Sequence, residues 1–207
     1  MSARAGRGRI AVAALALVAA SLALAGCSSG DGIAGSYTGG DYTSGDGSTR
    51  IIAPANRSDP IAFTATTATG STVSSKELRG DVVVVNFWYA QCAPCIAEAP
   101  RLEKLYTHFG SGAKGVQFLG VDINDLAPQA TAFAKAHGVS YPITIETGNN
   151  APMAAAFAGR FSPRTTPTTL VVDRKGRVAA RFDGEITTDQ ASVLREVIQD
   201  ALNERSS

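Results

Sequence analysis

The chain has 207 residues, of which 44% are hydrophobic and 18% charged, with 19 Lys+Arg against 18 Asp+Glu. That suffices for one folded domain plus tails. No block of like charge runs along the chain, which argues against a nucleic-acid partner and against electrostatic membrane binding. Three cysteines are too few for a secreted scaffold stapled by disulfides.

Residues 1–26 differ from the rest. Arg4, Arg7 and Arg9 precede an uncharged apolar run over residues 10–24, interrupted only by Ser21. The run has the length of a signal-peptide core and is short for a membrane span. It ends in "LALAGC", where Ala25 and Gly26 precede Cys27. This resembles the lipobox of bacterial lipoproteins. The resemblance implies cleavage before Cys27, lipidation of its thiol, and anchoring at the outer face of the cytoplasmic membrane. Without residues 1–26 the chain keeps 16 basic against 18 acidic residues, a formal net charge of −2.

Residues 28–49 hold seven glycines and many serines and threonines, so residues 27–49 read as a flexible tether. A coil of that length spans on the order of 25 Å. The folded domain is expected over residues 50–207. Its first element is a β-hairpin at residues 61–74 with Gly70 at the turn. "SKELRG" reads as a short helical turn stopped by Gly80. Residues 82–88 are apolar apart from Asn86, as in a strand buried on both faces. A helix follows over about 92–109, stopped by Gly110. "GVQFLGVDI" is the next strand, 129–137 a helix closed by Gly138, "PITIE" a short strand and "MAAAFA" a short helix. "PTTLVVD" and "RVAARFD" form a hairpin around "RKG". Residues 188–203 are a terminal helix with Thr187 or Thr188 as N-cap and Val193, Leu194, Val197 and Leu202 on its apolar face. The succession implies an α/β fold, a mixed sheet with helices on both faces.

Cys92 and Cys95 fall where the buried strand hands over to a helix, the edge at which such sheets build sites. A bridge between them closes a very small loop and constrains the unfolded chain little, so the pair reads as chemical. At the helix N-terminus the free N–H groups and the dipole stabilise a Cys92 thiolate, the species that attacks a disulfide. Cys95, nearly one turn on and expected to be the more buried, can resolve the mixed disulfide. Pro94 falls in the first turn, where its missing N–H costs nothing. A zinc site is expected to be absent. Cys92, Cys95 and His108 give C-x2-C-x12-H, but the other histidine, His137, is too distant to close four ligands. His108 and His137, each near a helix end, read as structural.

"NFWYAQCAPCIAEAP" resembles the redox motif of the thioredoxin superfamily, in the branch of TlpA-like and ResA-like extracytoplasmic thiol–disulfide oxidoreductases. Asn86, Phe87, Trp88, Cys92, Cys95, Glu98 and Pro100 carry the match, and "TPTTLVVDRKGRV" resembles the loop and hairpin opposite the cysteines. The likeness spans about residues 55–203. It implies a thioredoxin-like fold with an N-terminal β-hairpin extension, and a cis Thr166–Pro167 bond whose two residues flank the substrate edge. It implies that Trp88 packs beside the disulfide and that Pro100 kinks the helix. Thioredoxins proper carry an aspartate where this chain has Asn86, so Glu98 becomes the candidate for tuning the cysteines or moving protons. Gln91 departs from the tryptophan common before the first cysteine. It is expected on the rim of the substrate groove, altering partner choice.

The function implied is a membrane-anchored oxidoreductase that exchanges electrons with exported protein cysteines, needs no cofactor beyond its own disulfide, and works reductively. Apocytochromes c are one class of partner, and a membrane or extracytoplasmic electron partner is required. The alternatives are a Cu(I)-handling metallochaperone of the same superfamily, an oxidase of exported proteins, a thiol peroxidase, or a binding lipoprotein with an idle disulfide.

Overall fold

In the computed structural model, residues 40–111, 115–148, 150–160 and 165–204 are described. The expected signal segment, Cys27 and most of the tether lie outside them. The central strand, β5 (Val82–Trp88), is buried at every position. Its side chains alternate between two cores. Val82 and Val84 join Leu102, Leu105, Tyr106, Leu194, Val197 and Ile198 on one face. Val83, Val85 and Phe87 join Leu119, Leu170, Met153 and Phe157 on the other. A continuous apolar run is what a strand covered on both sides requires.

Among the described residues, seven strands form one sheet in the order β1-β2-β9-β8-β5-β6-β7. These are β1 (Tyr42–Thr43), β2 (Thr49–Ile51), β6 (Val116–Asp122), β7 (Ile143–Ile145), β8 (Thr168–Val172) and β9 (Val178–Asp183) with β5. Strands β5, β6 and β7 run parallel; β8 and β9 are an antiparallel hairpin beside β5. Helix α1 (Ala93–His108) and helix α4 (Thr188–Asn203) contribute to the first core. Helix α2 (Ala127–His137) packs beside α1, and α3 (Pro152–Ala156) covers the second core. The sheet is therefore mixed with helices on both faces, as the sequence pattern implies.

The hairpin expected at residues 61–74 is present as β3 (Thr64–Thr66) and β4 (Thr72–Ser74), paired antiparallel, with Gly70 at φ 85°. "SKELRG" forms turns, not a helix. The stretch read as tether needs correction at its end. Tyr42–Thr43 and Thr49 belong to a hairpin that extends the sheet, β2 pairing with β9. Thr49 and Ile51 face inward and Arg50 outward, so three residues suffice for a sheet register that glycine-rich composition hides. Helix α4 begins with a capping box: the Thr187 side chain accepts from Gln190 N–H while the Gln190 side chain accepts from Thr187 N–H. Leu194, Val197, Ile198 and Ala201 are its buried face.

Candidate active site

Strand β5 ends at Trp88, and a turn closed by Cys92 N–H to Tyr89 O, 3.2 Å, delivers the chain to α1. Cys92 is the helix N-cap, and its Sγ accepts from Cys95 N–H at 3.3 Å. A helix start thus aims a free N–H at the sulfur, the arrangement that stabilises a thiolate once the bond is reduced. The two cysteines form a disulfide with Cα atoms 5.2 Å apart. Both are buried, 3% and 2% exposed. The expected contrast in burial is absent in this oxidised form, where one bond ties both sulfurs under the same apolar cluster.

That cluster holds Trp88, Cys92, Cys95, Ala99, Ala130, Phe133 and Ile143. Trp88 stacks on Phe133 with centroids 4.2 Å apart. Its indole reaches over Gly120, where an added Cβ would lie 3.0 Å from Nε1 and 3.2 Å from Ile143. Glycine is needed there for close approach, a requirement that the sequence alone did not reveal. Gln91 and Pro94 are exposed at the helix start, consistent with a rim position.

The Thr166–Pro167 bond is cis. Phe87 lies opposite Thr168 in the β5–β8 ladder, so the next pair in that antiparallel register sets Pro167 level with Trp88. The register brings Thr166 and Pro167 to the edge that carries the cysteines. Pro167 O accepts from Gly184 N–H at 2.8 Å, which fastens the loop to the strand behind it.

Glu98 is 1% exposed and lies one turn beyond Cys95 on the same helix. Asn86 Nδ2 donates to its Oε1 at 2.7 Å and Ile186 N–H to its Oε2 at 2.8 Å. Asn86 also donates to Thr169 Oγ1 at 3.1 Å. Burial pushes the carboxyl up to about 7, and the Ile186 and Asn86 donors only partly offset it. An aspartate at position 86 would supply no donor and add charge; asparagine supplies the donor. Arg101, one turn further, binds Ile186 O and pairs with Glu185, bracing the residue whose N–H reaches Glu98. Pro100 lies inside α1 without ending it. Ile186 went unnoticed in the sequence because it acts through backbone groups, and Arg101 because its partners lie 84 and 85 residues away.

Among the described residues no group of three or more His, Cys, Asp and Glu side chains is arranged to hold a metal. The reactive group is the disulfide itself.

A CxxC disulfide at a strand-to-helix handover, a cis proline level with Trp88 at the same sheet edge and a buried glutamate one turn beyond Cys95 define a thioredoxin-fold thiol–disulfide oxidoreductase. The Redoxin family matches residues 53–198, and the chain belongs to it. The chain is 29% identical over 128 residues to the thiol-disulfide oxidoreductase ResA of Bacillus cereus, covering 62% of this chain and 69% of that protein. It is 32% identical over 139 residues to the thiol:disulfide interchange protein HelX of Rhodobacter capsulatus, covering 66% and 69%. A secreted thiol-disulfide isomerase of Corynebacterium glutamicum shares the fold with a TM-score of 0.66 and 26% identity, over 79% of this chain and 97% of that one.

Proposed function

We propose that the protein reduces disulfides in exported proteins, from a lipid anchor at Cys27 on the outer face of the cytoplasmic membrane. The supporting observation is Glu98. A carboxyl buried one turn behind Cys95 disfavours a second negative charge there, so it raises the cost of a Cys95 thiolate. A costlier thiolate makes the dithiol form less stable against the disulfide, which is the poise of a reductant. Chain position supports the extracytoplasmic reading: a signal-like segment precedes the domain, and the Corynebacterium relative is described as secreted. Among the described residues no helix is long and apolar enough to cross a membrane.

The Cys92 thiolate attacks one sulfur of a partner disulfide. That bond breaks, a mixed disulfide forms, and the partner's other sulfur leaves as a thiolate. Cys95 then gives its proton to the Glu98 carboxylate and attacks Cys92 Sγ, which breaks the mixed disulfide and releases the partner's second sulfur as a thiolate. The Cys92–Cys95 bond returns, two electrons have passed to the partner, and its two sulfurs take up protons. A dithiol on a membrane or extracytoplasmic partner restores the reduced couple by the reverse sequence. Thr166 and Pro167 flank the edge along which an extended substrate lies, and Gln91 faces it from the rim. Apocytochromes c, with paired cysteines awaiting haem, are a fitting substrate class.

The test is a trap. The Cys95→Ser chain, offered an oxidised Cys-x-x-Cys-His peptide, accumulates a mixed disulfide on Cys92, and Cys92→Ser accumulates none. A trap that forms on neither variant contradicts the assignment of Cys92 as the attacking residue.

A further inference from the structure

Asp122 ends β6 beside Trp88 in the parallel ladder. Alternation along β6 places it on the same face as Gly120, against which the Trp88 indole packs. It is fully buried. Its Oδ1 accepts from Asn124 N–H at 3.1 Å and from Asp125 N–H at 2.8 Å. Its Oδ2 is buried and has no donor. The carboxyl that interacts with Asp122 is that of Asp125, whose Oδ2 accepts from Ala90 N–H at 2.6 Å. Ala90 sits in the turn between Trp88 and Cys92, one residue before Gln91.

Two carboxylates side by side in a buried setting do not both ionise cheaply, and one proton between them removes the conflict. A proton on Asp122 Oδ2 gives that orphaned oxygen a partner in the Asp125 carboxylate. Asp125 Oδ2 keeps its hold on Ala90 N–H. We propose that Asp122 and Asp125 are a positioning pair that shares one proton and, through Ala90 N–H, sets the turn that presents Cys92. Loss of the shared proton leaves two like charges together, and Asp125, on the half-buried loop, is the one free to move away from Ala90. The pair thereby couples the presentation of the attacking sulfur to pH.

Burial and the Asp125 carboxyl push Asp122 up to about 6, against the pull of the Asp125 and Asn124 N–H groups. Among the described residues, the carboxylates on the other elements packed here are turned to partners of their own. Strand β5 brings Trp88. The chain after β7 brings Glu146, whose N–H donates to Asp122 O and whose carboxylate is held by Met153 and Ala154 N–H. On α2 the basic residues Lys135 and His137 lie in its last turn, and the His137 ring rests on Phe133. On α1, Glu98 is turned toward Asn86 and Ile186.

The experiment follows the Ala90 amide signal of the oxidised full chain by NMR from about pH 4 to about pH 8, a range in which the bonded cysteines do not titrate. In the wild-type chain the signal moves with a midpoint near 6. Asp122→Asn keeps a donor for Asp125 and cannot titrate, and its Ala90 signal stays flat. Glu98→Gln retains the movement, which separates this pair from the glutamate. Asp125→Asn loses the movement too and carries the test if Asp122→Asn fails to fold. In the reduced chain, the pH profile of attack on a small disulfide carries the same inflection, absent in Asp122→Asn. An Ala90 signal that ignores pH in the wild-type chain, or one that still moves in either aspartate variant, overturns the proposal.

Discussion

Replacing Glu98 by glutamine separates the titration of this residue from its packing. Burial raises the carboxyl from an ordinary 4.5 to about 7. Below the unfolded value both states hold the proton and no penalty exists. Between the two values the folded chain keeps a proton that the unfolded chain has lost, so stability falls as pH rises. Above the folded value the whole penalty is present. A difference of that size corresponds to about 3 kcal/mol. Glutamine does not titrate. It offers one acceptor to two donors, Asn86 Nδ2 and Ile186 N–H, which costs about 1–3 kcal/mol at every pH. Urea unfolding of the oxidised proteins, at about pH 4 and about pH 8, isolates the pH-dependent part, because the cysteines do not titrate and Asp122 contributes equally to both chains. We expect the stability of Glu98→Gln relative to wild type to improve by about 3 kcal/mol between those pH values. A relative stability that does not change with pH refutes the claim that burial holds the Glu98 proton.

Gly120→Ala places a methyl against the indole and Ile143 and is expected to cost about 1–3 kcal/mol, with a changed emission from the chain's one tryptophan; urea midpoints and fluorescence check it. Thr187→Ala removes the capping box of α4 and is expected to cost about 1 kcal/mol in the same assay. Gln91→Trp restores an aromatic surface at the exposed rim; exchange with a small disulfide stays at the wild-type rate while the ranking of protein substrates changes. Competition assays over a set of oxidised peptides measure that ranking.

The strand from Val82 to Trp88, the helix behind Cys92 and the start of the last helix were legible because each rests on a local signal: an apolar run, a helix-start proline and a threonine pair, of which the structure selects Thr187 as the cap. The cis bond and the Glu98 assignment needed the family resemblance; nothing local in "TTPTT" distinguishes cis from trans. The tether's end was misread because composition averages over Tyr42–Thr43 and Thr49, which gain their order only through the ladder in which β1 pairs with β2 and β2 with β9. Asp122 and Asp125 stood in plain view in "GVDIND". Their placement at the carboxyl edge of a strand was a usable signal, yet the link from Asp125 to Ala90 spans 35 residues and exists only in the fold. Ile186 reaches Glu98 over 88 residues through its backbone N–H, where side-chain identity gives no hint.

The central claim, a reductant whose dithiol is destabilised by a buried glutamate, is tested most directly by the equilibrium potential of the Cys92–Cys95 couple against thioredoxin and glutathione standards. We expect a value well below about −200 mV, near or beyond the roughly −270 mV of thioredoxin, and a shift to less negative values in Glu98→Gln. A wild-type potential near about −200 mV or above contradicts the reductive assignment and marks the protein as an oxidase or isomerase.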